Sequence, residues 1–300
     1  MLLSMLDQLI RNTLPFRTSH PILLRRAQRY YRREVLDRYT ERDHMVIDFL
    51  KRTNMPSTLL TGHQKGGNTW TRFVVANYFN ILAHPEVGST LTFDELYRVQ
   101  SNVLEYRDLT PPPPGAPLFI YSHQHYRKVF GHFDTVAYVY RHPLDTLISY
   151  YYFITQREKP FPTQGLSERE KARLMDKDAF VLHYALSWVL FHLRTAPKAH
   201  IVLNYERMKA DPIGQFTPLL ERMTGTVDRA ALEKSIQLSS FDSVREKQRQ
   251  VDRPQGHSSS DLKVEFTRSG ATKQYERELK PSTIEQVRWL LRVNGIEEPA

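Results

Sequence analysis

The 300-residue chain contains no cysteine. That absence removes disulfide bridges, thiolate metal sites and cysteine nucleophiles together, and it is compatible with a reducing cytoplasm, the compartment expected for the chain. No apolar stretch approaches membrane-spanning length. The opening residues MLLSMLDQLIRNTLPF lack a basic n-region, and their apolar run is broken by Asp7 and Gln8, so neither a transmembrane segment nor a secretory leader is expected. Internal repeats and a clean domain boundary are also missing.

What is present is a composition 40% hydrophobic and 25% charged with a formal net charge of +9. Such a chain has ample material for a buried core, and its surface should attract anions: nucleotides, sulfated products, nucleic acid or acidic lipid. Residues 1–50 carry nine arginines and no lysine, interleaved with Phe16, Tyr30, Tyr31 and Tyr39. Glu34, Asp37, Glu41 and Asp43 alternate with those arginines at helical spacing. A solvated, salt-bridged basic helical extension packed on or beside the rest is therefore favoured over a lipid or nucleic-acid face. Weak membrane-surface association through residues 1–45 is the alternative, and no nucleic-acid partner is expected.

From residue 51 onward the pattern alternates. STLLT at 57–61 is a short β-prone run, followed by Gly62, His63, Gln64, Lys65, Gly66 and Gly67 and then by TWTRFVVANYFNIL with helical apolar spacing. LFIY at 118–121, VAYVY at 136–140 and HIVL at 200–203 read as further buried strands. Pro143 and Asp145 sit where a helix's first turn would be, and Asp211-Pro212 marks another helix start. Ser282 to Glu285 forms a capping-box pattern ahead of a C-terminal helix that stops at Gly295. Strands alternating with helices predict a single α/β domain with a central, mostly parallel sheet flanked by helices. Two segments read as loops over a pocket, 111–117 and 155–178; the polar, basic stretch 248–272 reads equally as a mobile cover over a ligand or as a plain surface loop.

Two segments carry anion chemistry. Gln64-Lys65-Gly66-Gly67-Asn68-Thr69-Trp70 places backbone amides, an ammonium and a hydroxyl at a strand-to-helix turn, where glycines allow close approach to a phosphate and the helix N-terminus adds positive charge. The order GxxxxGK[ST] is missing, so this is not a Walker A loop, and alone it is equally compatible with an ordinary connection. The second segment, RHPLDTLISYYYF, puts Arg141 at a strand's carboxyl end and Ser149 two helical turns onward, a forked and a single donor for phosphate. Its plain structural reading is an Arg141–Asp145 pair amid core aromatics.

Together the two segments resemble the cytosolic-type sulfotransferases that use 3′-phosphoadenosine-5′-phosphosulfate (PAPS). The family's 5′-phosphosulfate loop reads roughly P-K-S-G-T-T-W, against Gln64 to Trp70; its 3′-phosphate motif reads roughly Y-V-x-R-N-P-x-D-x-x-x-S-Y-Y-x-F, against Tyr138 to Phe153. The resemblance extends from about residue 55 to 275 and makes residues 51–300 a sulfotransferase domain with a P-loop-like nucleotide site. It implies transfer of a sulfuryl group from PAPS, without a metal, to a hydroxyl or amine of a small acceptor. The aromatic content of the loops suits an apolar or aromatic acceptor. Tyr121-Ser122-His123 stands where the family has K-T-H, so the resemblance makes His123 the general base, with Lys65 stabilising the transferring group. It also implies nucleotide contacts from Lys65, Gly66, Gly67, Asn68, Thr69, Trp70, Arg141, Ser149, Tyr205 (in LNYERMKADP), Phe241 (in Ser239-Ser240-Phe241), Arg268 and Gly270. Trp70 and Phe241 would sandwich the adenine.

Departures from the family pattern are specific. Asn68 replaces a loop threonine, Gln64 a proline and Tyr121 a lysine, which shifts the burden to Lys65. Ser269 replaces a lysine of the R-K-G signature, and Lys273-Gln274-Tyr275 stands where G-D-W is usual. The dimer motif K-x-x-x-T-V-x-x-x-E is not met near Thr283-Ile284, where Leu279 and Arg288 hold the outer positions, so no oligomeric state is set. The rival readings are a P-loop-type nucleotide kinase, which needs a magnesium-binding Ser/Thr after its lysine where Gly66 stands, and a catalytically inactive nucleotide- or polyanion-binding module.

Overall fold

A computed structural model describes residues 39–100, 104, 109, 111–112, 116–155, 172–250 and 270–298. Four short strands, β1 (Ser57–Thr61), β2 (Leu118–Ser122), β3 (Thr135–Tyr140) and β4 (Ile201–Asn204), pair in the order β2-β1-β3-β4, and each pair is parallel. β1 therefore lies between the two strands that follow it in sequence. The chain leaves it toward β2 on one side and returns to β3 on the other, which opens a crevice at the strands' carboxyl ends.

Every residue of β1 and β2 is buried, as a sheet covered on both faces requires. The period of two sorts the side chains. Leu60, Phe119, Ala137, Val139 and Leu203 face one core with Val74, Val75 and Tyr78 of α2 (Asn68–Ala83). Leu59, Leu118, Ile120 and Val136 face another, which includes Val46, Ile47 and Phe49 of α1 (Glu41–Thr53). At about 1.5–3 kcal/mol per fully buried large apolar side chain, these two layers clamp the sheet.

Helix α1 starts at a capping box, in which the Thr40 side chain accepts from the Asp43 backbone N–H and Asp43 accepts from that of Thr40. The expectation of a solvated helix with its charges paired internally does not hold for this part of it. Asp43 is buried and pairs with Arg127, and Arg42 Nε donates to the Leu104 carbonyl at 3.0 Å. The apolar positions Val46 and Phe49 dock the helix instead. Residues 1–38 lie outside the described residues, as do most of 155–178 and of 248–272.

After α3 (Phe93–Val99), helices α4 (Pro143–Thr155) and α5 (Lys177–Thr195) pack together with the C-terminal helix around Trp188, Phe180 and Leu147. Beyond β4 come α6 (Tyr205–Ala210), α7 (Pro212–Thr224, capped by Asp211), α8 (Arg229–Leu238), α9 (Phe241–Gln250), α10 (Tyr275–Glu278) and α11 (Pro281–Val293). The capping box expected at Ser282 is not formed. Lys280 is the N-cap and Pro281, its φ fixed, is the first helical residue, two residues before the start a Ser282 cap would give, and Glu285 pairs with Arg288 at 3.2 Å. The stop at Gly295 is formed as a Schellman end: Ile296 N–H reaches the Leu291 carbonyl and Gly295 N–H that of Arg292, with Gly295 at φ 65°. Among the described residues no helix is long and apolar enough to cross a membrane.

Candidate active site

The candidate residues converge because each follows the carboxyl end of a strand: 62–67 after β1, His123 after β2, Arg141 after β3 and Tyr205 after β4. The glycine loop is pressed against β3. A Cβ on Gly62 would lie 2.5 Å from the Val139 carbonyl oxygen, and one on Gly67, at φ 112°, would lie 3.1 Å from the Tyr205 ring. Gly66 N–H closes the turn on the His63 carbonyl at 2.9 Å. Lys65 adopts the left-handed region at φ 68°, and its Nζ lies 5.0 Å from the Phe153 ring centroid. Gly67 caps α2 without a side-chain acceptor for the helix's first N–H groups, the arrangement that favours an anion. Asn68 braces this loop from beneath, its Nδ2 donating to the Gly62 and His63 carbonyls at 3.3 and 3.1 Å. Its side-chain N–H groups are therefore committed to the loop, while its buried Oδ1 has no hydrogen-bond partner. Thr69 is half-buried on the first turn of α2.

His123 is fixed by a 3.1 Å hydrogen bond between Nδ1 and the Gly62 carbonyl. A carbonyl can only accept, so Nδ1 carries the proton and Nε2 of the neutral ring carries the lone pair. Burial lowers its pKa from 6.5 to about 4; the Gly62 bond opposes the shift, and the positive charges of Arg72 and Lys65 add to it. The ring is therefore neutral at pH 7. His63 is also held near 4, chiefly by burial, with the His63 ring edge-on to Tyr150 and Phe191 at 5.6 and 5.9 Å. Tyr121 lies edge-on to His123 at 6.0 Å.

A second group gathers around Arg141. This buried guanidinium lies over the Tyr205 ring at 4.8 Å, donates from Nη2 to the Ala271 carbonyl, and leaves its Nε without a hydrogen-bond partner. The Arg141–Asp145 pair exists but is loose at 3.7 Å. The Asp145 carboxylate is committed elsewhere, accepting the backbone N–H groups of Lys273 and Gln274 at 2.7 and 2.9 Å. Lys273, at φ 58°, makes the turn that the missing G-D-W glycine would make, and Tyr275 stacks on His142 at 4.6 Å. The departures in Lys273-Gln274-Tyr275 thus leave the segment docked. Tyr205 donates to the Gly270 carbonyl at 3.1 Å, and Gly270, at φ 59°, approaches Phe241 so closely that a Cβ would lie 2.7 Å from its ring.

Trp70 meets Tyr205 edge-on at 5.7 Å, and its buried Nε1 has no partner. Ser149 is half-buried on α4, and Arg268 lies outside the described residues. The sequence reading missed Arg72 and His63. Arg72 falls inside an apolar helical run, where local spacing gives a charge no distinct signal.

The comparisons with known proteins agree on the fold. Residues 55–293 match the family described as Sulfotransferase domain. Mouse sulfotransferase SULT7A1 complexed with PAP is similar in structure, with a TM-score of 0.57, 17% identity, and coverage of 79% of this chain and 83% of that one. Retinol dehydratase in complex with androsterone and the inactive cofactor PAP gives 0.56 and 15% identity over 80% of this chain and 82% of that one. No curated protein matches in sequence.

Proposed function

The chain belongs to the sulfotransferase domain family, a family of sulfuryl-transferring enzymes, and we propose that it takes the sulfuryl group from PAPS, with His123 as general base and Lys65 beside the transferring group. The observation that carries this reading is the His123 ring: Nδ1 donates its proton to the Gly62 carbonyl, Nε2 keeps the lone pair, and burial with the nearby Arg72 and Lys65 charges holds the ring neutral.

The residues fit a nucleotide phosphorylated at both ends. The Gly62–Gly67 turn is seated against β3, where any Cβ at Gly62 would clash with Val139, and it ends on uncapped helix N–H groups suited to the 5′ end. The orphaned Nε of Arg141 is a buried cationic donor suited to the 3′-phosphate, with Ser149 and Arg268 as its partners. Trp70, Tyr205 and Phe241 supply aromatic surface for the base, and Gly270 lets its segment approach Phe241. When bound, the donor supplies an activated sulfuryl group whose sulfur–oxygen bond to the 5′-phosphate breaks as the acceptor oxygen bonds to sulfur.

His123 Nε2 accepts the acceptor's proton at that moment, which a ring neutral at pH 7 can do. Lys65 compensates the charge gathering on the leaving oxygen, and rigid placement by the Gly62 hydrogen bond avoids reorganisation as the reaction proceeds. The rings of Tyr150 and Phe191 beside His63, and of Phe153 beside Lys65, are apolar surroundings suited to a small apolar or aromatic acceptor with a hydroxyl or amine. Androsterone and retinol, which accompany PAP in the retinol dehydratase structures, have that character.

Calorimetric titration tests the nucleotide assignment. Adenosine 3′,5′-bisphosphate should bind without magnesium, whereas ATP binding that requires magnesium would favour the kinase reading and overturn this one.

A further inference from the structure

One buried charge has no part in the mechanism so far. Arg72, one turn into α2, is only 4% exposed. Its Nε and Nη2 donate to the Gln100 side-chain and backbone oxygens at 3.2 and 3.4 Å, and Gln100 Nε2 returns a bond to the Arg72 carbonyl at 3.3 Å. Tyr121 and Tyr97 lie against the guanidinium, with ring centroids 3.8 and 5.0 Å from Cζ. Gln100 is neutral, and no carboxylate among the described residues pairs with Arg72. A cation withdrawn from water without a counter-charge costs several kcal/mol. Each ring contact returns only about 0.5–2 kcal/mol of that. The arrangement is suited to an anion that arrives with the ligand.

The position of the charge identifies that anion. Tyr121 and His123 share the carboxyl end of β2, with ring centroids 6.0 Å apart, and Arg72 covers Tyr121. Arg72 and Lys65 both make His123 harder to protonate, so the base lies within the field of two cations on different elements. The transferring group must sit beside His123 for Nε2 to reach the acceptor's proton. Tyr121 itself brings no charge there.

Resting on the reading of sulfuryl transfer from PAPS, we infer that Arg72 is the second cation of the transfer site, its guanidinium neutralising the sulfuryl oxygens from the Tyr121 side while Lys65 acts on the bridging oxygen. Tyr121 orients the guanidinium by stacking, and Gln100 fixes its plane by holding two of its N–H groups. The positive charge absent from β2 is supplied by α2.

The test compares two ligands that differ only in the sulfuryl group. Loss of one charge-assisted contact is worth about 1.5–3 kcal/mol, so in R72Q the affinity for PAPS should fall about tenfold or more while that for adenosine 3′,5′-bisphosphate stays near the wild-type value. The His123 titration, followed by NMR in the unliganded protein, should move to higher pH in R72Q because a neighbouring positive charge is gone. Turnover should fall about 10²-fold, as for a lost oxyanion donor.

Equal weakening of both nucleotides, or no weakening of either, would assign Arg72 a structural role and overturn the inference. Should R72Q fail to fold, R72K decides. It keeps the stem and one charge but loses the planar fork: a selective, smaller loss of PAPS affinity supports the inference, and unchanged selectivity overturns it. Wild-type protein that does not bind PAPS overturns the functional reading itself, whereas wild-type binding with an unaltered ratio in R72Q overturns this inference alone.

Discussion

Replacing Gly62 with alanine tests the packing on which the whole site depends. The added Cβ would lie 2.5 Å from the Val139 carbonyl oxygen, 2.7 Å from Asn68 Oδ1 and 2.8 Å from Val139 Cγ1. The first of these is backbone of β3, held by pairing to both β1 and β4, so it cannot turn aside as a side chain could. The loop must lift instead. Lifting strains the Gly62 carbonyl's bonds from His123 and from Asn68, now 3.1 and 3.3 Å. Overpacking costs about 1–3 kcal/mol, and each of the two weakened hydrogen bonds about 0.5–1.5 kcal/mol, so G62A should lose about 2–6 kcal/mol. The low end corresponds to a fall in Tm of about 3 °C for a chain of this size.

Gly88 is the internal control, since a Cβ there meets nothing within 4 Å and no positive φ is involved. G88A should stay within about 0.5 kcal/mol of wild type. Thermal and urea unfolding followed by circular dichroism measure both variants. Adenosine 3′,5′-bisphosphate should also bind G62A more weakly, because the loop that carries Lys65 has moved. If G62A proves as stable as G88A and keeps its nucleotide affinity, the close seating of the loop on β3 is wrong.

Two further outcomes are expected. His63 and His123 are both held near pKa 4 in the folded protein against 6.5 when unfolded, mainly by burial; each therefore contributes stability that is complete above pH 6.5 and lost as pH falls through 4, by roughly 3 kcal/mol per ring at full protonation. Urea midpoints should accordingly fall between pH 6.5 and 4 less steeply in H63F, which keeps the ring contacts without the titration; parallel curves would refute the assignment. Arg141→Ala should weaken adenosine 3′,5′-bisphosphate far more than adenosine 5′-monophosphate, because only the former presents a 3′-phosphate to Nε, and equal losses in a titration of both would show that the arginine has another role.

The sheet was legible in the sequence because β1, β2 and β3 are buried on both faces and therefore appear as short continuous apolar runs such as STLLT and VAYVY, each broken by glycine or by polar residues where the site begins. HIVL was read one residue early: the strand begins at Ile201, and the preceding His200 serves the sheet through its ring, which accepts the Val136 N–H at 2.8 Å. The Ser282 capping box misled because Pro281 starts the helix two residues sooner, with Lys280 as the N-cap. Arg72 was illegible for a deeper reason. Its chemistry comes from what covers it, Tyr97 from α3 and Tyr121 from β2, and local spacing within α2 carries no trace of either. The same holds for Asp145, whose place in a first turn reads as a helix-dipole residue but whose oxygens hold the backbone of residues 273 and 274.

The most direct test of the account is transfer of label from sulfur-labelled PAPS to a panel of small hydroxyl and amine acceptors, run without divalent metal for wild type and H123A. The account predicts labelled product from wild type on an apolar or aromatic acceptor. It predicts no detectable product from H123A, although H123A binds adenosine 3′,5′-bisphosphate with nearly unchanged affinity. Wild-type turnover retained in full by H123A would remove the base from the site, and the proposed chemistry with it.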